Sequence, residues 1–233
     1  MSNQSSSAPE RRSFLTSWNA GVAALAAIAF GRQARAQAKP AAAARWEPAR
    51  HDKDDWFDQL PGKHRLVFDT TSLEHVASSL LFANNFIRVN QADYGLQPSE
   101  LAVVIIVRHR STPFGYTDAM WAKYGAPIAA RSQVEDPKTK QPPKINMFTS
   151  ANYSEFDNRG MTLDSVFKQG VQLAVCATST RGYAAAIAQA TGGNANAIFE
   201  ELAANLVPNS RLVPAGIVAV NRAQERGYSL VSI

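Results

Sequence analysis

Seven consecutive residues, Leu101-Ala102-Val103-Val104-Ile105-Ile106-Val107, carry no polar side chain and stand between Glu100 and Arg108. A strand with one wet face alternates apolar and polar residues. A run that is apolar at every position suits a strand covered on both faces, as in a parallel sheet flanked by helices. The rest of the chain has to supply that cover, and its pattern does so.

Upstream, Leu66-Val67-Phe68 is a short apolar run that ends at Asp69-Thr70-Thr71. Ser72 then stands where a helix cap belongs, and Leu73, Val76, Leu80, Ala83 and Ile87 recur at three- and four-residue steps along one helical face. Gly95 and Pro98 mark the exit from that helix. Downstream of the central run, a helix is expected over about 117–124, closed by Gly125 and Pro127. Residues 131–160 are polar, with Pro137, Pro142 and Pro143, and read as a long loop or inserted excursion.

A short helix follows over 162–169, with Asp164 early and Lys168 late as the helix dipole favours. Val171–Val175 reads as a third strand with Cys176 at its end. Helices are expected over 179–190 and 194–206, a fourth strand over 211–213, a helix over 215–226 and a last strand over 228–233. Strands alternating with helices imply one three-layer α/β/α domain around an open, mainly parallel five-stranded sheet, spanning residues 63–233. Residues 37–62 precede it as a leader and extension, pinned to the domain by Trp56, Phe57 and Leu60.

The amino terminus reads as an address. Arg11-Arg12-Ser13-Phe14-Leu15 leads into an apolar stretch, Ala20 to Phe30, and then the small-x-small triplet Ala34-Arg35-Ala36. This is the layout of an export signal, and its apolar part is shorter than the roughly 20 residues a membrane span needs. The arginine pair resembles the twin-arginine signal, which implies passage of the folded protein through that export machinery, cleavage after Ala36 and a periplasmic destination. No stable membrane span is expected after cleavage. Glu10 and Thr16 depart from the usual residues of that signal.

The chain has 233 residues and a net charge of +5. Most of that excess belongs to Arg11, Arg12, Arg32 and Arg35 of the signal, set against Glu10 alone. The remainder is nearly neutral and gives no reason to expect a nucleic-acid partner. A single cysteine, Cys176, excludes an internal disulfide framework and a CxxC motif. Phosphate-binding glycine loops of the G-x-x-x-x-G-K-[ST] and G-x-G-x-x-G types are missing, as is G-x-S-x-G. His51, His64, His75 and His109 offer no ligand pair at helical spacing. No metal or cofactor is expected.

Ligands of open parallel sheets bind beyond the carboxyl ends of the strands. Those ends present Asp69, Thr70 and Thr71, then Arg108, His109, Arg110 and Ser111, then Cys176, Thr178 and Ser179, and lastly Pro214 and Gly216. Cys176 is the sharpest candidate for chemistry. A thiol reacts as its thiolate, which helix amino termini and nearby cations favour, and Cys176 stands just before a predicted helix. His109 is the accompanying catalytic candidate. Asp69, Thr70, Arg108, Thr178 and Arg181 are candidates for a ligand-binding rim. Plainer roles are open to four of them: Cys176 as a small buried thiol, His109 as a strand-closing residue, Asp69 as a helix cap and Arg181 as a solvated helix residue. Tyr116, Trp121 and Tyr124 read as core or lid packing.

Three signposts occur in order: Gly170-Val171-Gln172-Leu173-Ala174-Val175-Cys176, Val213-Pro214-Ala215-Gly216-Ile217, and Gln224-Glu225-Arg226-Gly227-Tyr228. In order and spacing they resemble the DsrE/DsrF-like family of sulfur-relay proteins, over residues 64–233. The resemblance implies a compact α/β/α domain that forms small homo-oligomers. It further implies that the cysteine matching Cys176 carries sulfur as a persulfide, exchanged with a sulfur donor or acceptor protein. Characterised members work in the cytoplasm. This chain departs from them in its export signal, its 131–160 segment and its amino-terminal extension, and looks closest to an exported branch.

Two functions therefore stand side by side. One is a periplasmic thiol-based sulfur carrier using Cys176. The other is a non-catalytic ligand-binding or assembly module in which Cys176 only packs.

Overall fold

In the computed structural model the fully apolar run becomes the middle strand of a sheet, buried at all seven positions. The structure describes residues 46–153 and 155–233. The expected signal, residues 1–36, and residues 37–45 of the leader lie outside the described residues. The strands are β1 (His64–Thr70), β2 (Leu101–Val107), β3 (Gln172–Cys176), β4 (Ser210–Val213) and β5 (Ser229–Ser232). They run parallel throughout, in the order β4-β3-β2-β1-β5. The α/β fold with an open five-stranded parallel sheet is as the sequence pattern requires.

Alternation along each strand builds two cores. Phe68, Val103, Ile105, Val107, Leu173 and Val175 point to one face. There they meet α2 (Leu73–Tyr94), α3 (Asp118–Ser132), α4 (Leu163–Phe167), α5 (Ala177–Thr191) and α6 (Ala195–Ala204). Val67, Ala102, Val104, Ile106 and Ala174 point to the other. They are covered by α1 (Trp56–Gln59) and α7 (Gly216–Glu225), with Trp56, Phe57, Ala219, Val220 and Ala223 filling the space. Trp56 and Phe57 thus tie the residues before β1 onto the sheet, within the compact unit Glu47–Ile233.

Local signals bound three of the helices where expected. Ser72 accepts the His75 N–H at the start of α2, and Gly95 closes it with φ 65°. Asn194 caps α6 through the N–H groups of Asn196 and Ala197. Gly192 closes α5 with φ 71°.

Two expectations fail. The helix expected to end at Gly125 instead kinks at Tyr124 (φ −123°, ψ 16°) and runs on to Ser132. Pro127 lies in the first turn after the kink, where a missing N–H leaves no hydrogen bond unmade. Gly125 serves a contact: a Cβ there would lie 2.2 Å from the Pro143 carbonyl oxygen. The second failure is the stretch after β2, which winds into a 3-10 helix, His109–Gly115, where no element was expected.

The described residues of 133–162 contain no helix or strand, yet they are packed. Met147 and Phe148 are fully buried in the larger core. Asn146 donates from Nδ2 to the carbonyls of Phe114 and Tyr116, and its N–H donates to Asp118. Asp136 accepts the Tyr153 hydroxyl at 2.6 Å and the N–H groups of Lys138 and Thr139. The segment buttresses α3 and the 3-10 helix. No helix among the described residues is long and apolar enough to cross a membrane.

Candidate functional site

The chain leaves β3 toward one face of the sheet, into α5, and leaves the neighbouring β4 toward the other face, into α7. Such a divergence opens a crevice beyond the strand ends, where ligands of this architecture bind. A cleft of about 290 Å³ occupies that place, lined by Arg108, His109, Arg131, Cys176, Thr178, Ser179, Ala215, Gly216 and Ile217. An adjoining lobe of about 220 Å³ shares His109, Arg131 and Ser179 and adds Arg110 and Tyr183.

Cys176 is at once the last residue of β3 and the cap of α5. Its Sγ accepts the Ser179 N–H at 3.3 Å. The residue is 6% exposed, so the sulfur lies at the floor of the cleft. Behind it, the Thr180 hydroxyl donates to the Cys176 carbonyl at 2.9 Å, and the buried Tyr116 hydroxyl donates to Thr180 at 3.0 Å. Burial above all raises the Tyr116 pKa far above its ordinary value, so this relay is fixed as neutral hydroxyls.

Arg108 reaches back to Asp69. Nε donates to Oδ1 at 2.7 Å and Nη2 to Oδ2 at 2.8 Å, a bidentate pair. The hydrogen bonds to Asp69 raise the Arg108 pKa above its ordinary value. Burial works against them, while the negative charge of Asp69 and of a Cys176 thiolate adds to them. Arg108 and Cys176 are therefore electrostatic neighbours. Asp69 does not cap α2, the plainer role open to it; Ser72 does, and Asp69 holds the arginine. Gly216 makes room: a Cβ there would lie 2.6 Å from Arg108 Cβ.

His109 is exposed and lines both lobes, with its backbone at φ 58°. That left-handed conformation is uncommon for a residue with a Cβ and tends to persist where surrounding contacts enforce it. One such contact is the Ser179 hydroxyl, which donates to the His109 carbonyl at 3.0 Å. Thr178 lines the cleft and is anchored through its hydroxyl to the Pro214 carbonyl.

Three rim candidates do not line the cleft: Asp69, which holds Arg108, and Thr70 and Arg181. Thr70 is fully buried, donating to the Ile106 carbonyl at 2.8 Å and to Ser111 Oγ at 3.1 Å, and so ties β1 to the 3-10 helix. Arg181 lies on the outer side of α5 with its guanidinium 3.9 Å from the Phe199 ring centroid, a packing contact with α6. Tyr116 and Trp121 are fully buried core residues; Tyr124 donates to Glu201 at 2.6 Å.

Arg131 is the residue that sequence reasoning missed. The expected helix stop at Gly125 placed it in a loop, whereas the continued α3 delivers it to both lobes. Its guanidinium lies over the Tyr183 ring, 5.1 Å from the centroid, and against Gly182. A glycine inside a helix that otherwise favours alanine signals a close approach, and Gly182 was the one legible trace of this contact.

No protein-family model matches the chain, and no curated protein does. Among solved structures, a protein of unknown function from Methanobacterium thermoautotrophicum, MTH1491, is similar to it. The match covers 73% of this chain and 100% of that one, at 14% identity and a TM-score of 0.37.

Proposed function

We propose that this chain is an exported α/β carrier of sulfane sulfur, with Cys176 as the acceptor thiol. The observation that carries the reading is the setting of that sulfur. It ends a central strand, receives the Ser179 N–H and faces a cleft beside Arg108 and His109. A helix amino terminus and a guanidinium are the surroundings in which reactive thiols are found. The resemblance to the DsrE/DsrF-like family points the same way and adds a homo-oligomer and a sulfur-exchanging partner protein. Export through the twin-arginine machinery to the periplasm rests on residues 11–36 alone.

The test is intact mass after polysulfide treatment of the full chain, of Cys176→Ser and of His109→Gly. Glycine is the informative replacement at His109 because it accepts φ 58° while removing the imidazole. The expected result is a gain of one sulfur that requires Cys176 and is slowed in His109→Gly.

One observation favours the second reading, a binding or assembly module. Cys176 is only 6% exposed, as a purely packing thiol would be. If folded protein neither loads sulfur nor reacts with a thiol reagent until denatured, the module reading stands and the carrier reading falls.

A further inference from the structure

We propose that the lobe formed by His109, Arg110, Arg131, Ser179 and Tyr183 is an oxyanion site. Its ligand is the sulfonate end of thiosulfate, presented to Cys176 as a small inorganic sulfur donor. The proposal rests on the carrier reading of Cys176 and names its donor.

The first argument is charge. Arg108 lines the larger lobe, Arg110 the smaller one, and Arg131 both. Of these three, only Arg108 has a carboxylate partner among the described residues, Asp69. Arg110 and Arg131 carry uncompensated positive charge into the cleft. A neutral donor has no use for that charge, whereas an oxyanion is attracted by it and hydrogen-bonded by guanidinium edges.

The second argument is construction. Arg131 is seated on Tyr183, which is itself held by a hydrogen bond between its hydroxyl and Ser132 at 2.7 Å. Gly182 leaves the space the guanidinium occupies: a Cβ there would lie 2.6 Å from Arg131 Nη2. An arginine stacked in this way keeps its in-plane N–H edges for a ligand and has less freedom to lose on binding.

The third argument is size. The lobe holds about 220 Å³, below the roughly 300–1,000 Å³ of sites for drug-sized ligands. It fits an inorganic anion or a single terminal group. The larger cleft continues from it to the Cys176 sulfur through shared His109, Arg131 and Ser179.

The reaction balances without an oxidant or reductant. The Cys176 thiolate attacks the sulfane sulfur of thiosulfate, forming the new S–S bond. The S–S bond of thiosulfate breaks, and its electron pair leaves with the sulfonate part as sulfite. Cys–S⁻ plus S–SO₃²⁻ becomes Cys–S–S⁻ plus SO₃²⁻, with three negative charges on each side. The step presses a monoanion against a dianion, and the unpaired arginines lower that repulsion.

The experiment uses the full chain. Binding of thiosulfate and of sulfite to Cys176→Ser is measured by calorimetry, alone and with Arg131→Ala added. Sulfur loading by thiosulfate and sulfite release are followed for the parent protein and for Arg131→Ala. Each rate is divided by the rate of Cys176 alkylation with uncharged iodoacetamide. The expected results are anion binding that weakens at least tenfold in Arg131→Ala and falls with added salt, one sulfite released per sulfur gained, and a rate ratio at least tenfold lower in Arg131→Ala. If polysulfide loads Cys176 but neither anion binds, this proposal falls and the carrier reading survives, its donor then being a protein or an organic persulfide. If no donor loads Cys176, both fall, even where the anion binds.

Discussion

The Arg108 guanidinium and the Asp69 carboxylate face each other edge to edge, at 2.7 and 2.8 Å, and so lock the carboxyl ends of β2 and β1 beside the Cys176 cleft. Asp69 is nearly buried and Arg108 has one open side. The pair therefore positions the cation that neighbours the thiol, and its geometry depends on the bare Cα of Gly216.

Asp69→Asn removes a charged acceptor from a bidentate pair, a change of about 1.5–3 kcal/mol for hydrogen bonds to charged groups. We expect a loss of that size in urea unfolding, together with slower alkylation of Cys176. A loss below about 0.5 kcal/mol would show that the pair contributes no more than an exposed ion pair.

Gly216→Ala places a methyl 2.6 Å from Arg108 Cβ and 3.0 Å from its Cδ. Arg108 Cβ is fixed by the backbone, so the clash is not relieved by a rotamer change. We expect destabilisation of about 1–3 kcal/mol, in the range of overpacked sites. An unchanged urea midpoint would contradict the geometry.

Gly125→Ala tests the kink in α3. On an open helix surface alanine stabilises relative to glycine by about 1 kcal/mol. Here the added carbon meets the Pro143 oxygen at 2.2 Å, and we expect the sign to reverse, with a lower Tm and a displaced 133–162 segment. A higher Tm would mean that the contact yields freely.

Asp136 titrates against the fold. The Tyr153 hydroxyl, followed by the Lys138 and Thr139 N–H groups, holds its carboxyl below the usual carboxylate range, with burial opposing. A lowered folded pKa adds stability that is complete above the ordinary value of about 3.9. That stability is lost as the pH falls through the lowered one. Asp136→Asn should flatten this acid limb of the stability curve while lowering stability at neutral pH. An acid limb identical in parent and variant would remove Asp136 from the account.

If residues 11–36 act as the proposed twin-arginine signal, Arg11→Lys combined with Arg12→Lys should leave the protein in the cytoplasm with that signal uncut. Fractionation followed by mass measurement reads this directly. Normal cleavage and export of the double variant would assign the signal to a different route.

Much of the fold is legible because its signals are local or periodic. The seven apolar residues of β2 announce a strand covered on both faces. Ser72, Gly95, Gly192 and Asn194 announce helix ends through their own backbone chemistry. Cys176 and His109 could be placed on one rim because strand ends follow from the same periodicity. Gly125 misled because a glycine reads alike whether it ends a helix or admits a neighbour, and the neighbour, Pro143, is distant in sequence.

By itself the sequence determined the five strands and the order of the main helices between them, which faces are apolar, and that a lone thiol ends the third strand. Backbone sterics and hydrophobic period act over a few residues, so they can be read from the chain in order. Only the tertiary structure decided that Asp69 clamps Arg108, that Thr70 and Arg181 stand outside the cleft, and that Arg131 enters it across Gly182. Those outcomes are set by which side chains share a volume once the layers close. Packing and charge pairing select among partners far apart in the chain, and no local preference records that selection.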